Sequence, residues 1–418
     1  MAETCPEHDG GGMEYPKLRP VEIFPVEATG KKLLCIRDPA NIAEKMVFAP
    51  YQLLDVLRFF DGRHSLKDIQ AEFARRHGTL LFIEHLEGIV RELDAHALLE
   101  GERFNLLAKN LRAEFSNSSL RKAMLAGRSY EGDPGALRAQ LEGFFLAEGG
   151  PNGLPGRQER NILKGAVIPH IDFGRGGPYF ALAYKEIAES SGARVFILLG
   201  TAHHPMEGAF AVTKKGFETP LGVLRTERAF VEALIGATGD RFIKGEFAHK
   251  SEHSIELQAV FLQYLFEGRQ DVSIVPILCS SFQESLQNGS SPSSMTEIRD
   301  FLEILRETMS AYPKETCVIA SADLSHVGPQ FGDAFYVDSQ RLGAIAQADM
   351  ETIRFIEAVD AEGFFASVQR DGDKRKICGL APIYTLLKVI QASEGRLIKY
   401  GQWPDPMGTV SFASICFY

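Results

Sequence analysis

Three short apolar runs in this chain each stop at a histidine or an aspartate. Residues 166–168 are closed by Pro169 and followed by His170, Ile171 and Asp172. Residues 195–200 lead into Thr201, Ala202, His203 and His204. Residues 318–321 lead into Ala322, Asp323, Leu324, Ser325 and His326. A short apolar run bounded by loop residues is the pattern of a strand buried on both faces. Strands of that kind belong to an open α/β sheet, where ligands bind outside the carboxyl ends. The three runs therefore predict one polar site built from the loops that follow them.

The rest of the chain beyond residue 165 agrees with an α/β fold, a sheet flanked by helices. Strand-like runs fall at 166–169, 194–200, 209–213, 272–278, 317–321 and 409–417. Helical patterns fall near 178–190, 226–236, 254–267, 296–310, 334–348, 361–369 and 380–392. Alternation of this kind argues for a sheet with helices on both faces. Gly174, Gly176 and Gly177 predict a loosened backbone ahead of a helix starting near Tyr179. Residues 280–294 are rich in Ser and Gln and predict a surface loop. Residues 104–165 form a bridge, with a helix over 137–146 announced by Asp133-Pro134.

The N-terminal part is organised differently. Residues 1–16 are polar and Gly-rich, the composition of a disordered tail. Residues 21–26 and 33–36 are β-like and joined through Thr29-Gly30 as a hairpin. Helical patterns follow at 50–60, 65–76 (with Ser65 as N-cap) and 83–99. A hairpin with three short helices is a small winged-helix-like α+β domain, so the expected division is 1–16, 17–105 and 106–418.

With 418 residues, two domains are expected. A net charge of -10 argues against a general nucleic-acid binder, since neutralising phosphates takes a basic surface. No apolar run reaches the roughly 18 residues of a membrane helix. The six cysteines are scattered without C-x-x-C spacing, and residues 1–13 contain no signal-like apolar core. A reducing cytoplasm is the expected compartment.

The chemistry-bearing residues gather in the C-terminal part. Histidine is both the commonest metal ligand and a general acid or base near neutral pH. A lone loop histidine is ordinary; His170, His203, His204 and His326 all following strand ends is a reason to expect convergence. Asp323 and His326 share a face if their turn opens a helix, so that Asp323 orients His326; the alternative is an Asp helix cap beside an exposed His. Glu252-His253-Ser254-Ile255-Glu256 is either a solvated helix start or a His–Glu pair facing the site. Cys378 precedes a helix from about Pro382 and stands in a loop, where a helix N-terminus lowers a thiol pKa. Two His with a Cys or carboxylate suit iron, copper or zinc.

Residues from about 120 onward resemble the MEMO family. The resemblance is carried by Ala126-Gly-Arg-Ser-Tyr130, Ile168-Pro-His-Ile-Asp172, Phe196 through His204, Thr219-Pro-Leu-Gly222, Glu252-His-Ser-Ile-Glu-Leu257, Val275-Pro-Ile277, Ser321 through His326 and Ile377-Cys-Gly379. Prokaryotic proteins of this kind are called AmmeMemoRadiSam system protein B. The resemblance implies a fold similar to class III extradiol (non-haem iron) dioxygenases. It also implies a metal site at His170, His203 and Cys378, with Asp323 and His326 as the polar pair of the pocket. Iron or copper, with zinc as a third choice, is the implied cofactor. A radical SAM enzyme and an AMMECR1-like protein are the implied partners. Two departures stand out: Met124-Leu125 precede Ala126-Gly127 where the family has His, and Pro-His-Ile-Asp-Phe replaces Pro-His-Ala-Gly-Tyr. The second adds Asp172, as a hard ligand, as a hydrogen-bond partner to a ligating His, or as a salt-bridge partner of Arg175; His204 and His253 are the other possible additional ligands.

Residues 54–69 and 90–99 resemble PqqD-like winged helices, which add an extended peptide as a strand beside their hairpin. A packing or dimerisation module is the second reading of this segment, and DNA binding the third, since Arg75 and Arg76 are mixed with Asp68, Glu72 and Glu84. Three functions follow: a metal-dependent oxidoreductase with His326 as acid/base, a metal- or peptide-binding accessory to a radical SAM enzyme, or a pure adaptor on an enzyme scaffold.

Overall fold

The computed structural model describes residues 13–28, 30–43, 45–156 and 160–418. The chain divides into two compact units, Met1–Asn117 and Ser118–Tyr418. The division falls beyond the expected residue 105 because residues 102–117 continue the first unit as a helix.

In the first unit, β1 (Glu22–Ala28), β2 (Lys31–Arg37) and β3 (Val47–Pro50) form an antiparallel sheet in the order β1-β2-β3. Thr29 of the expected hairpin turn lies outside the described residues, and Gly30 takes the left-handed conformation at φ 71°. Four helices follow: α1 (Leu54–Leu57), α2 (Leu66–His77), α3 (Ile83–Ala95) and α4 (Glu102–Asn117). Ser65 caps α2 in a reciprocal box with Asp68, and Gly78 ends it at φ 65°. Ile36, Ile69, Leu86 and Leu98 are fully buried between sheet and helices. Residues 13–16 are not a loose tail. The carbonyls of Glu14 and Pro16 accept from the amides of Leu66 and Gly62 at 3.1 and 3.0 Å. Residues 1–12 of that expectation lie outside the described residues.

The second unit is mixed α/β, a central sheet flanked by helices. In chain order its elements are β4 (Leu120–Arg121), α5 (Pro134–Leu146), β5 (Gly165–Ile168), α6 (Phe173–Ser190), β6 (Val195–Thr201), β7 (Phe210–Val212), β8 (Gly216–Thr219), β9 (Gly222–Leu224), α7 (Arg228–Thr238), α8 (Ser254–Leu265), β10 (Ser273–Cys279), α9 (Gln283–Asn288), α10 (Thr296–Ala311), β11 (Thr316–Ser321), β12 (His326–Val327), α11 (Ser339–Glu357), α12 (Ala361–Gln369), α13 (Leu380–Val389), β13 (Gly395–Trp403) and β14 (Thr409–Phe417). The large sheet runs β12-β14-β5-β11-β6-β10-β7, with β13 on the other edge of β14; β4, β8 and β9 make a small separate sheet. Strands β5, β11, β6 and β10 are parallel.

The period-2 alternation of the strands sorts two cores. Ile197, Leu199, Val318 and Ala320 face the side of α7, α10, α12 and α13. Phe196, Leu198, Cys317 and Ile319 face α5, α6 and α8. Helix α6 starts at Phe173, six residues earlier than expected. Its glycines are helical, and Gly177 is required by close approach, since a methyl group there would overlap the Phe144 ring. The expected loop at 280–294 contains α9. The edge strand β13 carries no alternation that distinguished it in the sequence.

Candidate metal centre

The sheet order β5-β11-β6 sets three carboxyl strand ends side by side, and with them His170, Asp323 and His203. His253 arrives from the start of α8, for which it is the N-cap residue. That helix end is tied to the strands: Ser254 Oγ donates to the Thr201 carbonyl at 2.9 Å, and Ser321 Oγ donates to the Ser254 carbonyl at 2.6 Å. Donor atoms of His170, His203 and His253 lie within 4.8 Å of one another.

Each imidazole has one nitrogen committed. His170 Nδ1 lies 2.9 Å from the Ser321 carbonyl, which can only accept, so Nδ1 carries the proton. His203 Nδ1 and His253 Nδ1 lie 3.0 and 3.1 Å from the same oxygen, Oε1 of Glu252. In each ring Nδ1 is the nitrogen held by an oxygen, the arrangement in which a carbonyl or carboxylate behind the ring fixes its tautomer and Nε2 is the atom that can ligate. Glu252 is buried and also accepts from the amides of His203, His253 and Ser254 at 2.9, 2.8 and 3.0 Å.

Behind Glu252 stands a fully buried ion pair between Arg121 and Glu256. Arg121 donates to the carbonyls of His249 and Glu252 at 3.0 and 2.8 Å, holding the segment that bears His253. Glu256 accepts from the Tyr130 hydroxyl at 2.5 Å and from the amides of Met124 and Leu125 at 3.1 and 2.8 Å. Glu252 and Glu256 are thus both interior groups rather than a solvated helix start.

Cys378 closes the site from the loop before α13. Its Sγ lies 3.2 Å from His170 Nε2. The amide of Gly379 donates to the Asp323 carbonyl at 3.1 Å, which fixes that loop against β11. Burial pushes the Cys378 thiol up, and the His203 imidazole opposes it only in part, so the helix N-terminus does not make it a thiolate by itself.

Burial, then the neighbouring His203 and His253, hold His170 well below the usual imidazole range. For His203 burial works the same way, but the Glu252 carboxylate and Cys378 outweigh it and raise the pKa well above its ordinary value. Burial disfavours ionised Glu252, yet its two imidazole partners overcome this and keep it well below the usual carboxylate range. Asp323 is raised to about 6 by burial, against the hydrogen bonds it accepts from the amides of His170 and Ile171. His326 is lowered to about 4 by burial, against its contact with the Leu324 carbonyl.

The sequence expectations land unevenly. His170, His203 and Cys378 come together, and His253 joins them. Asp323 and His326 border the site but do not form the expected orienting pair. Residues 322–325 are not helical, so the i, i+3 spacing does not bring the two side chains onto one helix face. Asp323 Oδ1 instead accepts from the His170 amide at 3.0 Å, and His326 Nδ1 lies 3.1 Å from the Leu324 carbonyl. Asp172 forms the expected salt bridge with Arg175, at 2.5 Å, and also caps α6, accepting from the Arg175 amide at 3.2 Å. His204 is outside the imidazole cluster. For Glu252 the structure favours the expected His–Glu pair facing the site over a solvated helix start, and adds His203 as a second partner of the same oxygen.

The family model for Memo-like proteins matches residues 121–415. The chain belongs to the Memo family. A MEMO1 family protein of Aquifex aeolicus is 28% identical over 408 residues, covering 96% of this chain and all of that protein. One from Methanopyrus kandleri is 31% identical over 309 residues, which is 71% of this chain and 98% of that protein. One from Caldivirga maquilingensis is 29% identical over 307 residues, again 71% of this chain. The Aquifex alignment covers 96% of this chain, so it takes in the first unit as well as the second. Among the described residues, no helix is long and apolar enough to cross a membrane.

Proposed function

We propose that this protein holds a transition-metal ion with His170, His203 and Cys378, and that His253 is a further donor. The observation that carries the proposal is the cluster of three imidazoles whose Nδ1 atoms are all spoken for, beside a thiol 3.2 Å from His170 Nε2. A nitrogen-rich set with one sulfur suits copper, iron or zinc and does not suit magnesium or calcium. A bound iron or copper ion would supply redox chemistry and polarise a substrate oxygen. The chain's own part is to orient the donors through Ser321 and Glu252 and to keep neutral His326 beside the site as a proton acceptor. Asp323, with a pKa of about 6, is the matching group that exchanges a proton near neutrality.

Strand-end donors on a parallel sheet support a kinship with class III extradiol dioxygenases, with a thiol where those enzymes have a carboxylate. The wider role within an AmmeMemoRadiSam system, with a radical SAM enzyme and an AMMECR1-like protein in a cytoplasmic setting, rests on family membership. A second reading, a binding accessory rather than a catalyst, is favoured by the first unit. Its β1 and β3 are the outer strands of a three-stranded sheet, the feature by which PqqD-like winged helices take a peptide.

Metal analysis of anaerobically purified protein tests the site. Wild type should carry about one Fe(II), Cu(I) or Zn(II) per chain, and His170→Ala should lose it. A wild type that binds none of the three ions sinks the proposal. Unchanged binding in His253→Ala would remove that residue from the donor set.

A further inference from the structure

The loop 371–379 that carries Cys378 to the imidazoles is built in an unfavourable conformation. Asp373 and Lys376 both have φ of 51°, in the left-handed region that non-glycine residues seldom occupy. Such backbone persists only where its surroundings over-determine it. Asp373 accepts from the Ile377 amide at 2.8 Å, and Lys376 Nζ pairs with Asp333 at 2.8 Å. Between them, Arg375 turns inward and is buried. Its Nη1 donates to Asp349 Oδ1 at 2.6 Å, Nη2 to Thr352 Oγ1 at 3.0 Å, and Nε to Asp371 at 3.2 Å.

Asp349, on α11, is wholly buried and fully used. It accepts from Ser325 Oγ at 2.6 Å, Tyr400 OH at 2.9 Å and Ser411 Oγ at 2.5 Å, besides Arg375. Ser325 adjoins His326, and the amide of His326 donates to the Arg375 carbonyl at 2.6 Å. One interior carboxylate therefore links α11, β13, β14, the segment 323–326 and the Cys378 loop. A buried ion pair is a poor way to gain stability, because desolvation consumes most of the attraction. What this pair supplies is placement: its two partners hold the two segments that bring Asp323 and Cys378 to His170.

We infer that Arg375 and Asp349 are positioning residues that keep Cys378 against His170 and hold His326 in register with it. The role assigned to the thiol rests on the metal-donor reading of Cys378; the loop-holding role does not. The test uses the full chain. In metal-free protein, alkylation of Cys378 by iodoacetamide is followed by peptide mass mapping. The double variant Asp349→Asn/Arg375→Gln leaves no unpaired buried charge and, once its circular dichroism matches wild type, should be alkylated at Cys378 about tenfold faster. Arg375→Lys keeps the charge but not the fork geometry, and should fall between, about threefold faster. Wild-type rates in Arg375→Lys, or in the folded double variant, overturn the inference.

Cobalt(II)-loaded protein gives the second readout. Wild type should show a near-ultraviolet thiolate-to-cobalt charge-transfer band that Cys378→Ser abolishes. Arg375→Lys should lose part of that band while retaining its cobalt. If wild type binds cobalt without the band, the donor role of Cys378 falls, whereas the alkylation rates still decide the positioning role.

Discussion

Glu252 is the residue on which the imidazole cluster turns. A single carboxylate oxygen faces Nδ1 of both His203 and His253 and also accepts two backbone amides. Replacing it by Gln keeps the size but leaves one acceptor oxygen for these donors. Glu252→Gln should weaken metal affinity about 10- to 100-fold, the range typical for groups that orient metal-bound histidines. Competition titration against a chromophoric chelator measures this, and an unchanged affinity would mean that the rings are oriented by packing alone. Asp172 makes the converse case. It looked like a spare ligand two residues from His170, but its carboxylate is committed to the first turn of α6 and to Arg175.

That commitment has a consequence for the element it caps. Asp172→Ala removes an N-cap and costs about 1 kcal/mol of stability in chemical denaturation. The partly exposed Arg175 pair adds little to that figure. Metal content should not change; a loss of metal with retained fold would restore Asp172 to the donor set. Elements also explain why some of the site was legible and some was not. The runs at β5, β6 and β11 were plain from their apolar composition, so His170, His203 and Asp323 could be assigned to strand ends. Helix α8 was equally plain, but its period gave no sign that its first turn is tied to the ends of β6 and β11. Glu256 is an i, i+4 neighbour of Glu252, a spacing normally found on solvated faces. Only the distant Arg121, Tyr130 and the amides of Met124 and Leu125 make an interior carboxylate tolerable there.

At the scale of the whole molecule, the boundary after Asn117 makes the second unit a candidate for independent folding. Residues 118–418 alone should bind the same amount of metal per chain as the full protein. A metal-free fragment that is nevertheless folded would show that the first unit contributes to the site. Acid should loosen the second unit through His249, which is buried, has an Nδ1 without a hydrogen-bond partner among the described residues, and is lowered from its ordinary value of 6.5 to about 4 by burial. Between those values the unfolded chain binds a proton that the folded chain refuses. Stability from this group is therefore complete above pH 6.5 and lost as the pH falls toward 4. In metal-free protein at pH 5, the contribution lost is about 2 kcal/mol relative to pH 7.5. Urea denaturation at the two pH values should show a smaller difference for His249→Gln; an equal difference would place the acid sensitivity elsewhere.

What the sequence determined by itself was local: buried parallel strands, the helices that cover them, the N-cap Ser65, the helix start at Asp133-Pro134, His and Asp side chains at the ends of those strands, and Cys378 in a loop before a helix. These follow from short-range patterns of polarity and turn chemistry. The tertiary structure alone decided which side chains meet. The order β5-β11-β6, unrelated to chain order, brings His170 to His203 across residues far apart in sequence. Burial sets Glu252 beside both His203 and His253, and Arg375 against Asp349, around the place where three imidazoles and the Cys378 thiol meet. Hydrogen-bond partners of interior charges are set by packing between distant elements, which local patterns do not encode.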